Sequence, residues 1–321
     1  MAAGGWNKRK VVIVGAGAVG STFAYSLAQS GLADEIALLD KSRNFAEGQV
    51  LDLVHGRPYF PTVEIYTGGP QDYADASVIV MTAGAKQASG ESRLNLLKRN
   101  VAIVEESVDQ MTAQSTPAVL VMVTNPVDLL TKVAWMRSGW PRSRVIGSGT
   151  VLDSSRLRYG LGQYCGVDVH NVHAYMLGEH GDSEFAAWSM THIGGVQIEE
   201  YCAICGKCED WNRQRSLVEE NVRNSAYHII DYKGATWFAV GLALVRIVDA
   251  ILRNRRSILT VSVCLKGEYG LSDLALSLPA VISSNGVESV IEAPLNDSER
   301  HLLAHSASVI ESAADELKHS Q

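Results

Sequence analysis

A chain of 321 residues, 46% hydrophobic and 20% charged with a formal net charge of −7, has the composition of a soluble globular protein long enough for two domains. The acidic balance, without a long basic run, argues against a nucleic-acid or anionic-membrane surface. No apolar run approaches the roughly 18 residues of a membrane span, and five unevenly spaced cysteines do not make a secreted disulfide framework.

Lys8 and Arg9 lead directly into the apolar run Lys10 to Val14, which ends at Gly15 and reads as a strand rather than a signal segment, so the cytoplasm is the expected location. A helix follows from Ala18 to about Ser30, stopped by Gly31. Ile36 to Asp40, Ser77 to Thr82 and Ala118 to Thr124 read as further strands, and Arg144 to Ile146 closes this half. Leu94, Leu97, Val101, Val104, Val108 and Met111 share one helical stripe between the third and fourth of these four strands. Strands alternating with helices predict right-handed βαβ units. The expected fold is α/β, a Rossmann-type doubly wound parallel sheet over residues 1–149 followed by an α+β substrate or catalytic domain over residues 150–321.

In that second half, Val151 to Gly166 reads as a helix, and Asn171 to Met176 as a strand entering a loop at Gly178. Leu217 to Asp231 is a long helix. Thr236 to Arg253 is helical and apolar nearly all round, which predicts burial. Val261 to Leu265 and Ala280 to Ile282 read as antiparallel strands, and Asn296 with Glu299 starts a terminal helix in capping-box fashion.

Gly15-Ala16-Gly17-Ala18-Val19-Gly20 stands between a strand and a helix, and Asp40 ends the next strand. The first two glycines admit a pyrophosphate and the third lets helix and strand pack. The helix N-terminus offers amide donors to phosphate, and the acid accepts from ribose hydroxyls while repelling a 2′-phosphate. That combination predicts NAD as cofactor.

Leu177 to Ser183, L-G-E-H-G-D-S, holds His180 between glycines on an accessible loop, suited to moving a proton near neutral pH. Asp153 and Arg156 share a helix face, the first able to orient an imidazole and the second to fork onto a carboxylate. The residues alone do not establish that these segments meet.

G-E-H-G-D-S, L-D-S-S-R-L-R from Leu152, V-T-N-P-V-D from Val123 to Asp128, G-E-S-R-L-N-L from Gly90, and K-G-A-T from Lys233 resemble the L-lactate/malate dehydrogenase family, in the family's order and over about residues 8 to 318. The resemblance implies hydride transfer between NAD and a small 2-hydroxy acid. By similarity, His180 is the proton donor and acceptor, Asp153 its partner, and Arg93 the group that polarises the C2 oxygen. Arg156 would bind the substrate carboxylate, with Asn125, Asp128, Thr236 and Gln87 also at the substrate. Gly15, Gly17, Val19, Gly20, Asp40, Gly84, Ala85, Val123, Asn125, Ser148 and Val240 would line the cofactor.

Gly84 to Arg93 reads as a lid that delivers Arg93. Within it the malate enzymes carry an arginine where this chain has the neutral Gln87, so pyruvate and lactate are expected over oxaloacetate and malate. Arg158 and His173 match positions that, in many bacterial lactate members, bind fructose 1,6-bisphosphate across a subunit interface, and a homotetramer is expected. Cys202-x-x-Cys205-x-x-Cys208 has thiolate spacing but no clear fourth ligand, so no metal is assigned. Phe185-Ala186-Ala187-Trp188 departs from the family, which commonly has a proline before the tryptophan. A metal-dependent NAD glycoside hydrolase and a non-catalytic binding role are disfavoured by the His180, Asp153 and Arg156 set.

Overall fold

The computed structural model describes residues 8–86, 90, 92–207 and 210–319. Its first half runs β1 (Lys10–Val14), α1 (Ala18–Ser30), β2 (Glu35–Leu39), α2 (Arg43–His55), β3 (Glu64–Thr67), β4 (Val78–Met81), α3 (Arg93–Ala113), β5 (Val119–Met122), α4 (Val127–Ser138) and β6 (Val145–Gly147). These six strands lie parallel in the order β3-β2-β1-β4-β5-β6, the doubly wound arrangement. Their apolar runs are continuous because helices cover both faces of the sheet. Val11 and Ile13 enter one core cluster, Val12 and Ile79 the other.

The second half runs α5 (Val151–Cys165), β7 (Val172–His173), β8 (Met176–Leu177), β9 (Phe185–Ala186), β10 (His192–Ile193), β11 (Val196–Gln197), α6 (Ile198–Cys205), α7 (Trp211–Lys233), α8 (Phe238–Leu252), β12 (Ser257–Lys266), β13 (Ser272–Ser283), β14 (Gly286–Val290) and α9 (Asp297–His319). Its long antiparallel strands do not form a separate sheet. β12 pairs with β6 through Ser262 and Gly147, so β12, β13 and β14 extend the parallel sheet to nine strands among the described residues. Gly147 has no room for a side chain at this join, since a Cβ would sit 2.7 Å from the Ser262 Cβ.

Two expectations change, and two elements are added. The single strand expected over Asn171 to Met176 is two, β7 pairing with β10 and β8 with β9, because the chain changes sheet around Ala174 and Tyr175. α8 is not buried all round: one face packs on α1, with Gly241 tight against Thr22, while Phe238 is 66% and Leu242 64% exposed. Helix α2 and strand β3 were not read from sequence, since α2 buries only Ala46 and Val50 and so has little apolar periodicity. The capping box at Asn296 is present, with the Glu299 N–H donating to Asn296 Oδ1 at 2.9 Å and the Asn296 N–H donating to Glu299 Oε2 at 3.0 Å.

Candidate active site

Asp153 lies in the first turn of α5, 2% exposed, with Arg156 one turn on. The Arg156 Nη1 donates to Asp153 Oδ1 at 2.7 Å, and Asp153 Oδ2 lies 2.7 Å from the Nδ1 of His180. The fold therefore joins the two segments that the sequence left apart. With Nδ1 engaged, Nε2 is the ring atom left to exchange a proton, on a ring that keeps 26% exposure.

The loop carrying His180 is fixed from three sides. Gly178, at φ +94°, exchanges backbone hydrogen bonds with Ser277 of β13. The Ser306 hydroxyl on α9 donates to the Ser183 carbonyl at 2.6 Å and accepts from the Glu179 N–H at 3.2 Å. The His180 N–H donates to Asp128 Oδ2 at 2.7 Å. Asp128 is only 1% exposed. Its carboxylate holds the histidine's backbone from behind.

Charge and burial compete at each of these groups. Burial alone lowers the His180 pKa, but the Asp153 carboxylate outweighs it through charge and hydrogen bonding, so the imidazole binds its proton more tightly than usual. Burial likewise works against the Asp153 anion, yet His180 and Arg156 hold its carboxyl below the usual range. The Asp128 carboxyl is pushed up to about 6 by burial, against the opposing pull of Ser262 and the His180 amide.

A cleft of about 540 Å³ opens at the C-terminal ends of β1, β2 and β4, lined by Gly15, Gly17, Asp40, Gly84 and Ala85 among others. The residues fit a dinucleotide. A Cβ on Gly15 would sit 2.6 Å from the Ala83 nitrogen and one on Gly20 1.9 Å from the Gly15 carbonyl oxygen, whereas a Cβ at Gly17 meets nothing within 4 Å, so that side of the turn is open space. Asp40 accepts from the Ala16 and Ser42 amides at 2.9 and 3.0 Å, which aims its carboxylate at the cleft rim. Val19, Val123 and Val240 are half-buried apolar residues packed on the same core. Ser148 follows β6, and Asn125 is exposed just beyond β5.

Arg93 is the exposed first residue of α3, behind the Ser92 cap. Its charge is felt at the Tyr227 hydroxyl, which donates to Asp182, two residues past His180. Thr236 lies half-buried in the α7–α8 connection. Gln87 and Cys208 lie outside the described residues. Cys202 is buried with Cys165 in one apolar cluster, and Cys205 is partly exposed. Arg158 turns inward, its Nε donating to the Ala174 carbonyl at 3.0 Å, while the neighbouring His173 is exposed on β7.

Sequence reasoning missed two residues that build the site. Asn100 joins two cofactor loops, accepting from the Ala85 N–H at 2.8 Å and donating to the Asn125 carbonyl at 2.9 Å. Glu184 is 4% exposed beside Asp153 and His180. The helical spacing of α3 marked its apolar stripe but not this polar member, and a lone glutamate past the histidine carries no local pattern.

A family model described as lactate/malate dehydrogenase, NAD binding domain, matches residues 9–147, and its alpha/beta C-terminal counterpart matches residues 150–321. The chain is 56% identical over 313 residues to the L-lactate dehydrogenase of Treponema denticola, covering 97% of this chain and 99% of that protein. It is 48% identical over 302 residues to the L-lactate dehydrogenase of Acetivibrio thermocellus, covering 94% and 95%. The minor L-lactate dehydrogenase of Enterococcus mundtii, solved with ligands bound, superposes with a TM-score of 0.94 at 39% identity, covering 97% of this chain and 99% of that one.

Proposed function

Because the chain belongs to the lactate/malate dehydrogenase family, we propose that it is an NAD-dependent L-lactate dehydrogenase interconverting pyruvate and (S)-lactate. The observation that carries this reading is the Arg156–Asp153–His180 chain of hydrogen bonds at a loop pinned by Asp128. In the direction of reduction, one pyruvate, one NADH and one proton become lactate and NAD. Bound NADH supplies the hydride to C2. Protonated His180 donates its Nε2 proton to the C2 oxygen, Asp153 steadies the imidazolium, and Arg156 forks onto the substrate carboxylate. Arg93, delivered from the start of α3, stabilises charge developing on the oxygen. NADH oxidation followed with pyruvate and with oxaloacetate tests the reading, and a preference for oxaloacetate overturns it.

Substrate choice rests on Gln87, a neutral side chain that leaves an oxaloacetate carboxylate without a partner. Gln87→Arg is expected to raise kcat/KM for oxaloacetate about 100-fold or more and to lower that for pyruvate, since an ion pair replaces an unpaired charge. Unchanged selectivity removes Gln87 from this role.

The protein works in the cytoplasm as a homo-oligomer, most simply a tetramer. The exposed apolar residues Tyr25, Phe238 and Leu242 on the packed pair α1 and α8 support this, being a surface that a second copy would cover. Arg158, bonded to the carbonyl of Ala174 next in sequence to His173, and His173 are the residues that would hold fructose 1,6-bisphosphate at a subunit boundary. Activation by the sugar bisphosphate at low pyruvate is the expected result, lost in Arg158→Gln. An identical response in that variant assigns the effector elsewhere.

A further inference from the structure

We propose that Glu184 is a neutral positioning residue that donates a hydrogen bond to Asp153 and so sets how tightly Asp153 holds the His180 proton. The idea rests on the proposed proton transfer by His180. It concerns a residue four positions beyond that histidine, drawn back by the loop so that contact atoms of Asp153, His180 and Glu184 lie within 4.8 Å of one another.

The geometry opposes a charge on Glu184. The residue is 4% exposed, and its Oε2 is fully buried with no hydrogen-bond partner among the described residues, a poor environment for an anion. Each cation that faces it is already engaged. From α5, Arg156 is bonded to Asp153 at 2.7 Å. From α7, Arg223 is paired with Glu219 at 2.8 Å and reaches only the Glu184 carbonyl, at 3.4 Å. His180 is bonded to Asp153 through its ring and to Asp128 through its amide. Two carboxylates side by side in this space cannot both ionise cheaply, and Asp153 owns both partners that favour the charged form. Burial first, and the Asp153 charge second, raise the Glu184 carboxyl well above its ordinary range, and the hydrogen bond to Asp153 acts in the same direction.

The consequence falls on His180. Asp153 then accepts from three donors: the His180 Nδ1–H, the Arg156 guanidinium and the Glu184 hydroxyl. Each added donor spreads the carboxylate's negative charge and weakens its pull on the imidazolium. A second anion in the same place would do the opposite, holding the His180 proton too firmly for a group that must both give and take it near neutral pH. A cation held by the three side chains is the rival use of this cluster. It would have to compete with the Arg156 guanidinium and the His180 ring, which already place a donor on each Asp153 oxygen.

The test compares the parent with Glu184→Gln, which keeps a neutral donor, and Glu184→Met, which keeps length but removes it. His180 is titrated through its ring proton by NMR without substrate, and kcat/KM for pyruvate is measured against pH. The glutamine variant is expected to stay within about 0.3 pH units of the parent midpoint, and the methionine variant to rise by about half a unit or more, with the alkaline limb of pyruvate reduction moving alike. A downward shift in the glutamine variant means that Glu184 is ionised, no shift in the methionine variant means that it only fills space, and stoichiometric metal in the purified parent means that it is a ligand. Any of the three overturns the proposal. If the methionine variant does not fold, infrared difference spectra of parent against Glu184→Gln at neutral pH decide it. A protonated carboxyl band lost in the variant supports the proposal and its absence in the parent refutes it. Neither spectroscopic readout needs turnover, so a parent inactive on pyruvate would sink the proposed reaction and leave this inference to be judged separately.

Discussion

Replacing His180 by asparagine is expected to cut pyruvate turnover about 10³- to 10⁴-fold, the scale of a lost general acid, while leaving NADH binding close to that of the parent. An asparagine amide fills much of the imidazole's space but carries no exchangeable proton with a pKa near neutrality. The loop should hold, because its anchors are backbone groups: Gly178 with Ser277, the Ser183 carbonyl with Ser306, and the residue 180 amide with Asp128. The cofactor cleft should hold too, since it is built at β1, β2 and β4. The parent's pH profile has a fixed sign. In the proposed reaction, reduction requires protonated His180, whose pKa is raised by Asp153, so the rate is expected to persist above the ordinary histidine range and to fall as pH climbs through the raised value. Lactate oxidation requires the neutral ring and rises over the same window. Stopped-flow NADH binding with steady-state turnover checks both halves. Near-parent turnover in the variant would remove His180 from the chemistry, and loss of NADH binding would point to a collapsed fold instead.

What the sequence made legible follows from how local each signal is. The runs at β1, β4 and β5 are buried on both faces and short, so their apolar continuity announces them. Gly15, Gly17, Gly20 and Asp40 were readable because a pyrophosphate turn demands fixed spacing within a single βαβ unit. The active centre is different in kind. Asp153 and His180 are 27 residues apart, Asp128 and His180 are 52 apart, and Ser183 meets Ser306 across 123 positions. No periodicity encodes such meetings, so family resemblance stood in for them and the geometry then joined Asp153 to His180. The motif that carries Asp128 likewise does not disclose that its carboxylate is turned under the His180 loop to accept from the backbone there. The apolar outer face of α8 was misread for a related reason: helical hydrophobicity shows that a surface needs covering but not whether the cover belongs to the same chain.

Arg156→Lys is expected to raise KM for pyruvate about 100- to 1,000-fold with a smaller change in kcat, because a lysine keeps the charge but loses the fork. The guanidinium is already half committed. Nη1 is bonded to Asp153, which fixes the plane of the group and leaves its other edge for a carboxylate, and the side chain is only 15% exposed, so little of the gain is lost to screening by water. That range corresponds to about 2.7–4.1 kcal/mol, the scale of one to two charge-assisted bonds at roughly 1.5–3 kcal/mol each. Arg156→Gln, which loses the charge as well, should be worse, and it should also let the Asp153 carboxyl rise toward its ordinary range. The discriminating control is an uncharged amide analogue of pyruvate. If Arg156 acts on the substrate carboxylate, the parent discriminates strongly between acid and amide, Arg156→Lys less so, and Arg156→Gln hardly at all. If its work is only to hold Asp153, both substrates suffer equally and the loss appears in kcat. Equal penalties on acid and amide would move Arg156 from the substrate to the support of the histidine.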